Sequence, residues 1–234
     1  MRRFAVIVAG GKGSRMGSDL PKQFIPLCGK PILMHTLERF HEWNPSADLI
    51  VVLPEEQFSY WKMLCREIDC QIPHQLAEGG ATRFHSVKNG LLLIAKQLES
   101  EGCDARQAVV GIHDGVRPFV STEVIESCFA TAEEKGTAVP VTGVVDSLRE
   151  GTMDESHPVN RDRYFAVQTP QVFRADLLLH AYHQEYITTF TDDASVIEAD
   201  GHRITTVLGN RENIKITTPS DLKTAEALLN PSIY

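Results

Sequence analysis

Apolar residues along this chain follow two alternating rhythms. FAVIVAG at 4–10, DLIVVLP at 48–54 and QAVVGIHD at 107–114 are nearly uninterrupted, β-branched runs. Runs of that length suit strands buried on both faces of a parallel sheet. Between them, PILMHTLERFHEW at 31–43, EEQFSYWKMLCREI at 55–68 and ATRFHSVKNGLLLIAKQL at 81–98 repeat their apolar positions at helical spacing, the last despite an internal Gly90. STEVIESCFATAEEKG at 121–136 adds a helix opened by an N-cap serine and closed by glycine. This alternation predicts an α/β fold: a single Rossmann-like domain with a mostly parallel central sheet flanked by helices.

From about 140 to 165 the rhythm breaks. PVTGVVDSLREGTMDESHPVNRDRYFAV holds short β-like pieces around a polar turn, which predicts a projecting β-arm. A helix from 174 to about 186 follows, then TDDASVIEADG, a strand HRITTVLG at 202–209 and a last helix introduced by TTPSDL. Asp192 and Asp193 read as carboxylates complementing a helix dipole, and Thr218 to Asp221 as a capping box. With no internal repeat and no low-complexity linker, residues 1–234 read as one domain with the arm as an excursion. Ligands of such sheets bind beyond the carboxyl ends of the strands, so the loops at 10–24, 78–83 and 113–118 should converge.

Bulk properties narrow the partners. A net charge of −8 over 234 residues argues against a general binder of nucleic acid or membrane surfaces. No run approaches the roughly 18 apolar residues of a membrane span, and the basic start MRRFAVIVAGG lacks the long apolar core and cleavage site of a signal peptide. Five cysteines without a CxxC pair read as reduced thiols. A cytoplasmic protein is expected. His180 and His183 lack a third ligand nearby and read as surface or packing residues.

The densest chemistry is VAGGKGSRMGSDLPKQF at 8–24. Glycines let backbone N–H groups approach phosphate oxygens. A Walker A loop fails, because Gly13 follows Lys12 and Val6 stands where its first glycine belongs. The dinucleotide fingerprint fails at Met16, although the wider spacing Gly11, Gly13, Gly17 leaves an NAD(P)-dependent oxidoreductase as an alternative. Lys12, Arg15 and Lys22 instead suit a triphosphate. Asp114, at the end of a buried strand, can face Mg²⁺, order a substrate hydroxyl or cap its loop. Arg117 can pair with it or bind an incoming substrate, and His113 reads as structural.

The loop resembles the GxGxRM signature, with a later PK, of sugar-phosphate nucleotidyltransferases. EGGATRFHSV (78–87), HDGVRPFV (113–120), VQTPQVF (167–173), TDDASVIE (191–198) and NIKITTPSDL (213–222) are similar, in order and spacing, to the 2-C-methyl-D-erythritol 4-phosphate cytidylyltransferase family. Ribitol-5-phosphate cytidylyltransferases share the first loop and TPQ. The resemblance implies transfer of CMP from CTP to a polyol phosphate, with Mg²⁺, by a homodimer joined through the arm. It implies Arg15, Lys22 and Lys215 as catalytic residues. Ala9, Gly10, Gly11, Lys12, Gly13, Gly79, Gly80, Arg83, Ser86 and Asp114 would hold the nucleotide, though Arg83 can instead cap or pair on its helix. Asp114, Arg117, Ser147, Arg161, Thr169 and Lys215 would meet the acceptor. Ser147 stands where the family often has threonine. A catalytically silent nucleotide-binding module remains the third alternative.

Overall fold

The computed structural model describes residues 1–11 and 20–230; Lys12, Gly13 and Arg15 lie outside them. Strands β1 (Arg2–Val8), β4 (Asp48–Leu53), β5 (Gln75–Glu78) and β6 (Ala108–Asp114) run parallel in the spatial order β6-β1-β4-β5. Beyond β6 the sheet turns mixed. β11 (Gln171–Arg174) lies antiparallel to β6 and to β7 (Thr137–Gly143), while β10 (Phe165–Val167) pairs antiparallel and β12 (Thr206–Leu208) parallel with β7.

Side chains alternate across the sheet and build a core on each face. Phe4, Val6, Ile50, Val52, Val110 and Ile112 pack under α3 (Arg83–Glu101), α5 (Ala175–Ala181) and α6 (Asp193–Ala199). Ala5, Ile7, Leu49, Val51 and Val109 pack under α1 (Ile32–Trp43), α2 (Phe58–Glu67) and α4 (Thr122–Lys135). Burial on both faces is why these strands read as unbroken apolar runs. Gly90 has a packing reason: a Cβ there would lie 2.8 Å from Val6 and 3.3 Å from Val52, so its absence lets α3 sit close on the sheet. A satellite cluster joins Leu27 of β2 (Pro26–Leu27) and Val116 to Ile216 and to Ala225 of α7 (Pro219–Leu229).

The ends of the elements follow their caps. Ser121 caps α4 and Gly136, at φ 88°, closes it; Thr218 and Asp221 form the expected capping box of α7. Several expectations shift. β5 and β11 are four-residue strands, QLAE and QVFR, too short for a periodic signal. Residues 137–143 form one buried strand instead of fragments, and the strand expected over 202–209 is confined to 206–208. The helix expected to about 186 stops at Ala181, where the Gln184 side chain donates to the carbonyls of Ala181 and Val196. The arm contains a hairpin, β8 (Leu148–Gly151) with β9 (Ser156–Val159).

Candidate active site

Strand order reverses between β1 and β6: the chain leaves β1 toward β4 and leaves β6 toward β7. Loops at such a switch point diverge and open a crevice. Backbone bonds tie the loops to the strand ends, Ala9 N–H to Val52 O at 2.9 Å, Gly115 N–H to Val8 O at 2.9 Å and Gly79 N–H to Leu53 O at 2.7 Å. All three predicted segments line one cavity of about 290 Å³. Gly10, Gly11 and Lys22 come from the first, preceded by Ala9; Gly80, Thr82 and Arg83 come from the second, followed by Ser86 within α3; Asp114 and Val116 come from the third, and Lys215 joins them from outside all three.

Two glycines here are set by contact. A Cβ on Gly11 would stand 3.2 Å from Lys22 Cε and 3.4 Å from its Nζ, so a side chain would push the ammonium off the loop. A Cβ on Gly80 would lie 2.4 Å from His85 Cβ, at the first turn of α3. That turn is tightly wired. The Gly80 amide donates to Ser86 Oγ at 3.0 Å, the Ser86 hydroxyl donates to Thr82 O at 3.0 Å, and Thr82 caps α3. The Gly80–Ala81–Thr82 backbone is thereby held at the mouth of the cavity, where it can meet the edge of a flat base.

Asp114 is the electrostatic centre. Its Oδ2 lies 3.0 Å from Lys215 Nζ and 3.3 Å from Arg117 Nε, and its Oδ1 3.5 Å from Arg83 Nε. Burial alone pushes this carboxyl up, but Arg83, Lys215 and Arg117 together hold it well below the usual carboxylate range. It is the one carboxylate among the described residues lining the cavity. With Oδ2 shared by two cations and Arg83 facing Oδ1, the donor set is not a protein-built metal centre; it fits a cation that keeps its waters and is carried by substrate phosphates.

A second cavity of about 290 Å³ adjoins the first, lined by Arg117, Gln168, Thr169, Thr191 and Asp192 among others. Arg83, Asp114 and Lys215 line both, and so form their common wall. Arg117 is anchored from behind, donating from Nη1 to Asn213 O at 2.8 Å; Asn213 in turn donates to Thr169 O at 2.8 Å. The Thr169 hydroxyl is committed internally: it accepts from the Asp114 amide at 3.1 Å and lies 3.0 Å from His113 Nδ1.

His113 is fully buried, and its Nε2 lies 3.0 Å from Arg117 O. With Nε2–H donating to that carbonyl, Nδ1 accepts the Thr169 hydroxyl, so the neutral ring satisfies both neighbours. Burial lowers its pKa from 6.5 to about 4, against the opposing pull of the Arg117 carbonyl and Asp114. The unfolded chain binds this proton more readily, so its contribution is complete above pH 6.5 and declines as pH falls toward 4. The loss should reach about 3 kcal/mol at the acid end. Urea unfolding of wild type and His113→Asn should show stabilities that converge as pH drops through this window; parallel profiles would contradict it.

The sequence-predicted residues therefore divide. Ala9, Gly10, Gly11, Lys22, Gly80, Arg83, Ser86, Asp114 and Lys215 share one cavity, and Arg117 and Thr169 line the second with Arg83, Asp114 and Lys215. Gly79 lines neither cavity; its amide is bonded to Leu53 O of β4. Ser147 and Arg161 are exposed on the arm; Arg161 donates to Val145 O, and neither lines either cavity. Arg83 does pair, but across the fold: both terminal nitrogens grip Asp193 at 2.9 and 2.7 Å. Both aspartates do stand at the N-terminus of α6, as the dipole reading has them. Asp192 is the N-cap, whereas Asp193 turns inward and is fully buried. The cavities are also lined by Thr82, Thr191 and Gln168, with Asn213 bonded to Thr169 O, none of which the sequence marks. A lone polar residue in a loop carries no signal of the wall it will face.

A crevice that gathers cations beside a glycine loop suits the meeting of two anionic phosphates, and on an open α/β sheet that defines the class of the nucleotidyltransferases. Within it, the chain belongs to the 2-C-methyl-D-erythritol 4-phosphate cytidylyltransferase family, whose model matches residues 4–231. It is 57% identical to the enzyme of that name from Bacteroides fragilis, over 98% of this chain and all of the relative. The counterpart from Porphyromonas gingivalis is 49% identical over 97% of this chain and 98% of its own. Among solved structures, a 4-diphosphocytidyl-2C-methyl-D-erythritol synthase from Anaerococcus prevotii superposes with a TM-score of 0.79 at 26% identity, covering 98% of this chain and 96% of that one. The cytidylyltransferase of Thermus thermophilus gives 0.72 at 30% identity, covering 96% and 98%.

Proposed function

We propose that this protein transfers CMP from CTP to 2-C-methyl-D-erythritol 4-phosphate, forming 4-diphosphocytidyl-2-C-methyl-D-erythritol and pyrophosphate. The observation that carries the reading is the wall of Arg83, Asp114 and Lys215 common to two adjoining cavities. The first takes the nucleotide, with the Gly80 turn and Ser86 at the base and Gly11, Lys12 and Gly13 at the phosphates. The second takes the acceptor, with Arg117 toward it and Thr169 holding the floor.

An acceptor phosphate oxygen attacks the α-phosphorus and the bond to the β,γ-diphosphate breaks. The nucleophile is already anionic, so catalysis rests on positioning and charge neutralisation more than on a base. Lys22 and Arg15 neutralise the α-phosphate and the departing diphosphate. Lys215, held on Asp114, faces the transferred group from the common wall. Mg²⁺ carried on the phosphates supplies further charge neutralisation when bound.

The arm completes this reading. Val145, Tyr164, Phe165 and Val167 are exposed along the arm, and Leu208 is 80% exposed on β12, which also pairs with β7; a run of apolar side chains left to water in this way marks an interaction surface. A second copy covers it, bringing Ser147 and Arg161 toward the partner's acceptor cavity. The homodimer works in the cytoplasm, and no helix among the described residues is long and apolar enough to cross a membrane.

The test is pyrophosphate release with CTP and Mg²⁺, offering 2-C-methyl-D-erythritol 4-phosphate and D-ribitol 5-phosphate separately, with size exclusion of the full chain alongside. Preference for the erythritol compound by a dimer is expected. Preference for ribitol would overturn the acceptor, and an active monomer would overturn the arm.

A further inference from the structure

A carboxylate removed from water costs several kcal/mol unless its partners are well placed, so a fully buried aspartate needs an explanation. Asp193, in the first turn of α6, is 0% exposed. Its Oδ1 accepts from Arg83 Nη1 at 2.9 Å and from the Tyr182 hydroxyl at 2.6 Å, and its Oδ2 from Arg83 Nη2 at 2.7 Å. Burial pushes the Tyr182 phenol up, as does Asp193, so the tyrosine remains a donor.

The support of this carboxylate is itself fixed. The Gln171 side chain, 1% exposed on β11, donates to Asp192 Oδ2 at 2.8 Å and accepts the Ala194 amide at 2.8 Å. The first turn of α6 is thus pinned on either side of Asp193. A forked, two-bond grip sets the plane of a guanidinium as well as its place. With both terminal nitrogens taken, the Nε edge of Arg83 is directed at Asp114 Oδ1, 3.5 Å away.

We infer that Asp193 is a positioning residue for phosphoryl transfer: by gripping Arg83 it fixes the wall common to the two cavities and leaves Asp114 to hold Lys215 and Arg117. The inference rests on the proposed reaction. Without the grip, Arg83 is left with Asp114 as its remaining carboxylate and draws it from Lys215. The acceptor and nucleotide still bind, but the cation that should meet the transferred group is displaced.

The experiment compares wild type, Asp193→Asn and the double variant Arg83→Met, Asp193→Asn in the full chain, at a temperature well below each melting point. Rates are expressed per folded molecule. In Asp193→Asn, kcat should fall about 10²-fold, the scale of a misplaced reacting geometry, while the KM for CTP stays within about threefold. The double variant, free of an uncompensated buried charge, should recover the melting temperature lost by the single one while kcat stays low. That pattern supports a positioning role. Should Asp193→Asn retain a near wild-type kcat, or the double variant recover both melting temperature and kcat, the pair serves folding alone and the inference falls. If Asp193→Asn does not fold, Asp193→Glu, which keeps the charge but shifts the grip on Arg83, decides: a kcat lowered about 10²-fold at an unchanged KM for CTP supports the inference, and a wild-type kcat overturns it. A wild type inactive toward both polyol phosphates would overturn the reaction itself and this inference with it, an outcome distinct from an active wild type with an unaffected variant.

Discussion

Replacing Lys22 by alanine is expected to lower kcat by about 10³-fold while leaving a folded protein, the scale associated with losing one preorganised charge at a developing phosphate anion. Lys22 begins the short 3-10 turn Lys22–Phe24, whose Phe24 is buried in the core against Trp61, with ring centroids 6.2 Å apart. The hydrophobic anchor lies two residues from the ammonium, so Phe24 still holds the turn in the core when the lysine is truncated. Steady-state pyrophosphate release with thermal unfolding on the same preparation checks both halves. A variant within tenfold of wild type would remove Lys22 from the transfer step.

The second large effect is expected for Asp114→Asn. Three cations face this carboxylate. Removing one partner of a fully buried pair costs about 3–5 kcal/mol. Here the Lys215 and Arg83 side chains are 41% and 29% exposed, so solvent screens part of the loss, and about 2 kcal/mol is the expected destabilisation. For a chain of this size that lowers the melting temperature by about 4–8 °C. Activity should fall further than stability, by about 10²-fold in kcat/KM for the acceptor, because Lys215 and Arg117 lose their common anchor. The sign with pH follows from the depressed carboxyl. Its stabilisation is present above the ordinary aspartate range, near pH 4, and disappears as pH falls through its lower folded value. Wild type should therefore lose its advantage over Asp114→Asn only in strong acid. A constant gap between the two down to pH 2 would contradict the electrostatic account.

Much of the site was legible because its chemistry is local. Glycines at 10, 11 and 80 and the carboxylate closing β6 announce themselves by type and by position at strand ends. Arg83 and Asp193 show the limit: 110 residues apart, each had a plausible local role, in a nucleotide segment and at a helix terminus. Nothing in either segment declares that one is the other's counter-ion. Gln171 and Asn213 were silent for the same reason, since their side chains bond across elements brought together only by the sheet. β5 and β11 were missed because four residues bear too little pattern, and their strand geometry comes from neighbours already in place.

What the sequence by itself determined is the alternation of buried strands and amphipathic helices, and with it the crevice at the carboxyl ends, since burial on both faces demands unbroken apolar runs and helices must cover them. It also determined which loops carry glycine and clustered cations, because those residue types are signals readable in place. The tertiary structure alone decided which charges face one another. Asp114 gathers Arg83, Arg117 and Lys215, Asp193 holds Arg83, and His113 is sealed in neutral form, because a pairing across the sheet depends on strand order and crossover. Electrostatic energy falls with distance in space, and distance along the chain says almost nothing about it.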